Sequence, residues 1–401
     1  MNNSYNSFVA QFLKNAVLIL ASIFVSLAIC EITLRVMHFS APLFYKPDPE
    51  VGAVLRPGAA GLQKMEGETY ITINSQGLRD YEHSSVKSEN SIRIAVLGDS
   101  YAEALQVPID KTFWSIAKDT FDNQCPSNQK KLEPINLGVS GYGTAQEFIR
   151  LRRDAWQYNP DIVLLAVTVG NDIRNNSKEL EPDKARPFLN KDNTFDFSYI
   201  HSHMNTSGYK LKNSWIGRMA TEASNHLRII QLVYYSIDLY LYRNALSLTS
   251  KSTSEVGIDD FIYHPPQTDA EKEAWNTTER LLLMMKKEVE GKGKKLLVVT
   301  LSSGIQVSLD RVKYEQFKQS FERQYKTPFE PFYPDYRIKA FLEKNNINYL
   351  ILAPQLQRTA VEKNIYMHGF GNNLGGGHWN ENGHRYAGEI IANKLCGMLS
   401  Q

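Results

Sequence analysis

Three short apolar runs, at residues 92–97, 134–137 and 162–169, each stop at a small polar cluster: Gly98-Asp99-Ser100, Gly138-Val139-Ser140-Gly141 and Gly170-Asn171-Asp172. Runs of Val, Ile and Leu without alternation belong to strands buried on both faces, which in turn demand a parallel sheet covered by helices. Two further runs, at 296–301 and 347–352, extend the pattern. Helical stretches intervene at 113–121 and 144–158, and Thr144 with Glu147 three residues on reads as a capping box at the start of the second. Strand and helix in alternation predict an α/β chain with a central parallel sheet between two helical layers.

The ends of those strands carry the chemistry. In an open parallel sheet, ligands bind outside the carboxyl ends of the strands, so the three polar clusters are expected to meet at one rim. A serine hydroxyl, glycine-rich backbone and a carboxamide gathered there suit acyl transfer, with a nucleophile and an oxyanion hole. The general base is expected from His378, which lies in Gly375-Gly376-Gly377-His378-Trp379-Asn380-Glu381-Asn382-Gly383-His384, just before a helix over 381–399. Asp99 and Asp172 are expected to bond nearby backbone rather than react. His384 stands six residues from His378, off the one-face spacing of a metal pair, so no metal and no cofactor are expected. His201 and His203 are expected on a solvated loop, and Trp379 is expected to anchor its loop rather than stack on a sugar.

Taken in order, these blocks resemble the SGNH (GDSL-type) hydrolase superfamily. The resemblance covers roughly residue 92 to the C-terminus, apart from an insertion. It implies a flavodoxin-like three-layer sandwich in which Ser100 attacks an ester carbonyl. The Ser100 and Gly141 N–H groups and the Asn171 side-chain amide would form the oxyanion hole, and His378 would be the base. One departure is plain: the aspartate that usually stands two or three residues before the histidine is replaced by Gly376 and Gly375. A base held by a backbone carbonyl, an acid from elsewhere in the chain and a domain that is not a hydrolase all stay open.

The flanking regions set the context. Between Lys14 and Glu31 the chain is uncharged, and with its apolar flanks it is long enough to span a bilayer core of about 30 Å. No small-x-small cleavage site follows, so an uncleaved signal anchor is expected. Segments such as Arg56-Pro57-Gly58 and Thr69-Tyr70-Ile71-Thr72-Ile73-Asn74 then read as short extended pieces. The expected division is a tail (1–11), a transmembrane helix (12–37), a β-rich lead-in (38–90) and a hydrolase-like domain (91–401). That domain has an insertion at about 174–294, placed to cap the site and containing an aromatic amphipathic helix near 232–242 and a charged helix over 269–290. Lead-in and anchor together resemble membrane-anchored bacterial envelope members of the superfamily. Lys+Arg 45 against Asp+Glu 43 leaves no field for a polyanion, so nucleic acid is not an expected partner. Cys125 and Cys396 pair or stay as buried thiols with equal weight.

The expected function is therefore a membrane-anchored serine esterase with its domain outside the cytoplasm. Its expected partners are the bilayer and an ester or acylated envelope glycan, as for a deacetylase. The alternatives are a catalytically silent glycan- or partner-binding domain and a polysaccharide O-acetyltransferase. Substrate identity and oligomeric state are not legible in the sequence.

Overall fold

The computed structural model describes residues 2–64, 66–125, 130–248 and 259–400. They form two compact units, one made of Met1–Leu43 with Leu211–Lys251, the other of Phe44–Lys210 with Ser252–Gln401. The smaller unit opens with helix α1 (Asn2–Val36). Within it, Ala10–Val36 is long and apolar enough to cross a membrane: its most apolar 18 residues have mean hydropathy 2.5, and none of them is buried by protein.

The larger unit starts with two antiparallel hairpins, β1 (Tyr45–Asp48) with β2 (Gly52–Leu55) and β3 (Ala60–Gln63) with β4 (Thr69–Thr72). Next come β5 (Ser91–Leu97), helices α2 (Ser100–Glu103) and α3 (Phe113–Gln124), β6 (Lys131–Asn136), α4 (Thr144–Arg150), β7 (Ile162–Thr168) and α5 (Asp172–Asn175). The inserted stretch contributes the hairpin β8 (Phe188–Leu189) and β9 (Phe195–Asp196), then α6 (Ser198–Met204), α7 (Ser207–Lys212), α8 (Trp215–Ala223), α9 (Arg228–Leu248) and α10 (Asp269–Gly291). After β10 (Lys295–Leu301) the chain runs through α11 (Arg311–Tyr325), α12 (Tyr333–Lys344), β11 (Asn348–Ile351), α13 (Ala353–Lys363) and α14 (Glu381–Leu399).

Five strands form one parallel sheet in the order β11-β10-β7-β5-β6. Read from the other edge, this is second, first, third, fourth, fifth, the flavodoxin-like doubly wound order. The sheet is buried on both faces because the central stretches of its inner strands, residues 94–97, 162–167 and 296–299, are apolar without interruption. In β5, Ala95 and Leu97 face one core, with Trp275, Leu282 and Met285 of α10. Ile92, Ile94 and Val96 face the other, with Phe113, Trp114 and Ala117 of α3 and Ile391 and Leu395 of α14. The period of two along a strand therefore builds the three layers. A third cluster, with Phe44, Val51, Leu55, Ile71 and Ile73, packs the lead-in against Leu105, Val139, Tyr142 and Ile149.

Two local expectations are corrected. The start of α4 is closed by Gly143 and Gln146, not by Thr144 and Glu147. The Gly143 N–H donates to Gln146 Oε1 at 3.0 Å, and a Cβ on Gly143 would stand 2.7 Å from Asn175 Cβ, so only glycine fits the cap. His201 and His203 lie on helix α6, not on a loop, where Phe197 O starts the turn by accepting from the His201 N–H.

The cysteines do pair: Cys125, at the end of α3, is bonded to Cys396 in α14, 271 residues away. The bridge ties the last helix, and hence the His378 loop before it, to the sheet's helical layer. Cross-links that close long loops stabilise chiefly by restricting the unfolded chain. Cys396→Ser is expected to lower unfolding stability by about 2–5 kcal/mol under non-reducing conditions, read from a denaturant midpoint.

Candidate active site

The first member of the site is fixed by the end of β5. Asp99 is buried and caps α2: its Oδ1 accepts from the Tyr101 N–H at 3.0 Å and from Thr168 Oγ1 at 2.8 Å. Its Oδ2 accepts from Asn171 Nδ2 at 3.2 Å. One carboxylate thus locks the turn that presents Ser100 to the turn that follows β7. β5 and β7 are neighbours from which the chain departs in opposite directions, so Ser100 and Asn171 flank the topological switch point where open sheets bind ligands. Burial raises the Asp99 carboxyl, partly opposed by those hydrogen bonds.

The third turn is set by the lead-in as much as by β6. Asn136 donates its N–H to Asp80 Oδ2 at 2.7 Å and its side-chain amide to Arg79 O and Ala102 O, while its Oδ1 accepts from the Gly138 N–H. Ser140 donates its N–H to Glu103 Oε2 at 2.8 Å and its hydroxyl to the same oxygen, which also accepts from the Tyr45 hydroxyl at 3.0 Å. Next along, Gly141 has φ +79°, a left-handed conformation that suits glycine, with nothing within 4 Å of the position a Cβ would take. Among the described residues, neither the Ser100 N–H nor the Gly141 N–H donates to a protein acceptor. Asn171 keeps one side-chain N–H beyond its bond to Asp99. The structure therefore places all three expected donors on turns at the carboxyl end of the sheet.

His378 reaches Ser100. Its Nε2 lies 2.8 Å from Ser100 Oγ. Its loop is held on both sides: the Gly369 N–H donates to His378 O, and the Asn380 N–H donates to Met367 O. Trp379 is fully buried and donates from Nε1 to Ser302 Oγ at 2.8 Å, which makes it the anchor of the loop. Ser302 Oγ sits 3.0 Å from His368 Nε2, and His368 Nδ1 sits 2.7 Å from Gly377 O. A carbonyl can only accept, so the proton of His368 is on Nδ1, and Nε2 accepts from Ser302. Burial pushes this histidine down to about 4, so it is neutral and serves as a brace. His384 is buried too and accepts at Nδ1 from the Phe113 N–H, a packing role.

The acid missing beside His378 is supplied by the lead-in. Glu66, in the loop between β3 and β4, accepts the His378 N–H on Oε1 at 2.7 Å and stands 2.5 Å from His378 Nδ1 through Oε2. The carboxylate fixes the tautomer with the proton on Nδ1, which leaves Nε2 unprotonated and facing the Ser100 hydroxyl. Burial raises the Glu66 carboxyl, but its hydrogen bonds and charge interaction with His378 outweigh that and leave it lowered. For His378, burial lowers the imidazolium, and Glu66, helped by Asp99 and Glu103, outweighs it, so the group rises above the ordinary 6.5. Both shifts favour the ion pair that forms when His378 takes a proton.

Sequence reasoning did not find Glu66, which is 312 residues from its partner. The only local signal is a glycine on each side of the contact. Gly377 has φ +71°, and a Cβ there would lie 1.9 Å from Glu66 Oε1, so the glycine next to the two that displace the usual aspartate makes room for the distant glutamate. Gly377→Ala is expected to push the carboxylate off His378. Ser100 should then react with a fluorophosphonate about 10- to 100-fold more slowly, at an unfolding midpoint measured alongside as control.

No family model matches the chain, and a search of curated proteins finds no match. Solved structures give distant likenesses. An acetyl xylan esterase is 14% identical with TM-score 0.37, covering 77% of this chain and 100% of its own. A member of the lipolytic protein G-D-S-L family from Veillonella parvula is 11% identical with TM-score 0.33, covering 77% and 99%. A two-domain esterase active on acetylated mannans is 12% identical with TM-score 0.34, covering 78% of this chain and 50% of its own.

Proposed function

We propose that the chain is a serine ester hydrolase of the SGNH type, and the observation that carries this reading is the Ser100–His378–Glu66 relay. His378 Nε2 takes the Ser100 proton as Oγ attacks the ester carbonyl. The carbonyl oxygen, now an oxyanion, is received by the Ser100 and Gly141 N–H groups and the Asn171 amide. His378 then gives the proton to the departing alcohol oxygen. Water, deprotonated by the same imidazole, attacks the acyl-enzyme and releases the acid. Glu66 orients the imidazole and stabilises its cation without itself taking the proton.

Glu66 also weakens the argument for a catalytically silent domain, which rested on Gly375 and Gly376. An acyl ester on a cell-envelope glycan, an acetyl ester in particular, is the substrate class we favour. It agrees with the turnover named for the acetyl xylan and acetylated mannan esterases. Transfer of the acyl group to a glycan hydroxyl instead of water is the second outcome to examine, by following acetyl from a donor onto polysaccharide. We further read α1 as an uncleaved single-pass anchor with the catalytic unit outside the cytoplasm. Its apolar stretch, Ala10–Val36, is 27 residues long. At about 1.5 Å per residue that exceeds a hydrocarbon core of about 30 Å. The Cys125–Cys396 bridge fits an oxidising compartment.

The test is hydrolysis of an aryl acetate together with fluorophosphonate labelling. Ser100→Ala is expected to abolish both, and full activity in that variant would refute the mechanism. Protonated His378 cannot accept the serine proton. The rate is therefore expected to fall as pH drops through its raised value, with the midpoint of kcat/KM above 6.5. Glu66→Gln removes the cause of the rise, so the midpoint should move to lower pH while the plateau drops about 10²- to 10⁴-fold.

A further inference from the structure

In the smaller unit, α1 does not stand alone. Glu31, four residues before Arg35, accepts from the Arg228 and Ile229 N–H groups at 3.1 and 3.0 Å, capping the start of α9. Arg35 bonds the same carboxylate and also donates to His226 O. The Ala41 N–H donates to Gln231 Oε1 at 3.0 Å, and Arg228 Nη1 donates to Ser40 Oγ at 3.2 Å. The helix pair α8 and α9 is thus fastened to the Arg35 end of the apolar stretch.

Helix α8 faces the wrong way for a helix in water. Its small residues Gly217 and Thr221 meet Tyr234 of α9, whose hydroxyl lies 3.4 Å from Gly217 O and from Thr221 Oγ1. Its large apolar residues point outward: Trp215, Ile216 and Met219 are 66%, 60% and 64% exposed. They occupy neighbouring positions on one face, at i, i+1 and i+4. On α9, Val233, Ile237 and Tyr240 are also exposed, spaced i, i+4 and i+7. Two exposed basic residues bracket Trp215 and Ile216 in the sequence: Lys212, whose Nζ stands 5.4 Å from the ring centre of Tyr234, and Arg218 on α8. Apolar side chains with Trp and Tyr, flanked by basic residues and joined to the end of a span, match the chemistry of a helix lying in a bilayer interface.

We propose that α8, together with the exposed stripe of α9, is a membrane-docking element that seats in the lipid interface at the Arg35 end of α1. The occupant of this face is an anionic phospholipid surface, continuous with the lipid that surrounds the span. The proposal rests on reading α1 as a transmembrane anchor, and its test separates the two.

The full chain carrying Cys30→Ser, with its disulfide intact, is reconstituted in phosphatidylethanolamine–phosphatidylglycerol vesicles. An environment-sensitive fluorophore is placed through Ile216→Cys in one sample and Val25→Cys in another. Lipids bearing a spin label near the headgroup should quench position 216 by about twofold, as for side chains seated about 5–10 Å into the interface, while aqueous iodide should not. Lipids labelled deep in the chain should quench position 25. Quenching at 25, with position 216 open to iodide, overturns the docking element and leaves the anchor standing. No lipid quenching at either position overturns the anchor reading itself. Protection at 216 that grows with protein density rather than with spin-labelled lipid identifies a second copy of the chain as the occupant and also overturns the proposal. Substituting phosphatidylcholine for the anionic lipid should weaken headgroup quenching at 216 and leave position 25 unchanged; equal quenching in both lipids refutes the basic contribution.

Discussion

The proposed reaction depends on one carboxylate meeting one imidazole. Glu66 binds His378 twice, through the backbone N–H and through Nδ1, so it sets where the ring sits as well as which nitrogen carries the proton. A charged hydrogen bond of this kind is stronger than a neutral one, and in a mostly buried setting it is screened little by solvent. The remaining constraints converge on the same point. Trp379, Ser302 and His368 brace the loop from the protein side, and the glycine at 377 keeps the approach to Glu66 clear.

The Ser100 side is held differently. Asp99 serves Ser100 and Asn171 together, and Glu103 serves Ser140 beside Gly141. Both are buried acids pushed upward by desolvation and held by donors rather than by paired cations, apart from the charge of Arg79 near Glu103. Their work is positional. They tie three turns into one rim, on which neither the Ser100 nor the Gly141 N–H is taken by a protein acceptor among the described residues. Such groups, aimed before any substrate arrives, need no reorganisation as charge develops.

The legible part of this design is the part written locally. Val, Ile and Leu without alternation announced a doubly covered parallel sheet, and the strand-end rule drew Ser100, Gly141 and Asn171 to one edge. His378 could be singled out because its glycine-rich loop precedes a long helix. What escaped has no local grammar. Glu66 is one acidic residue in a polar turn, indistinguishable by spacing from Glu68, and only the hairpin of β3 and β4 carries it to the imidazole. The cap at Gly143 escaped because its reason is Asn175, which packs across from the end of α5. The Cys125–Cys396 pairing waited on the packing of α3 against α14.

The position of Glu66 has a consequence for how the protein is divided. The parallel sheet begins at Ser91, but Glu66 lies a hairpin earlier, in a segment that packs on the outside of the same compact unit. The boundary drawn by the sheet and the boundary drawn by the proposed chemistry do not coincide. A fragment cut at Ser91 would keep Ser100, His378 and Asn171 but would lose the counter-charge of His378 and, with Arg79 and Asp80, the bonds that hold the turn before Gly141. On the proposed reading the peripheral strand pair belongs to the site, and its sequence answers to reaction geometry as well as to packing.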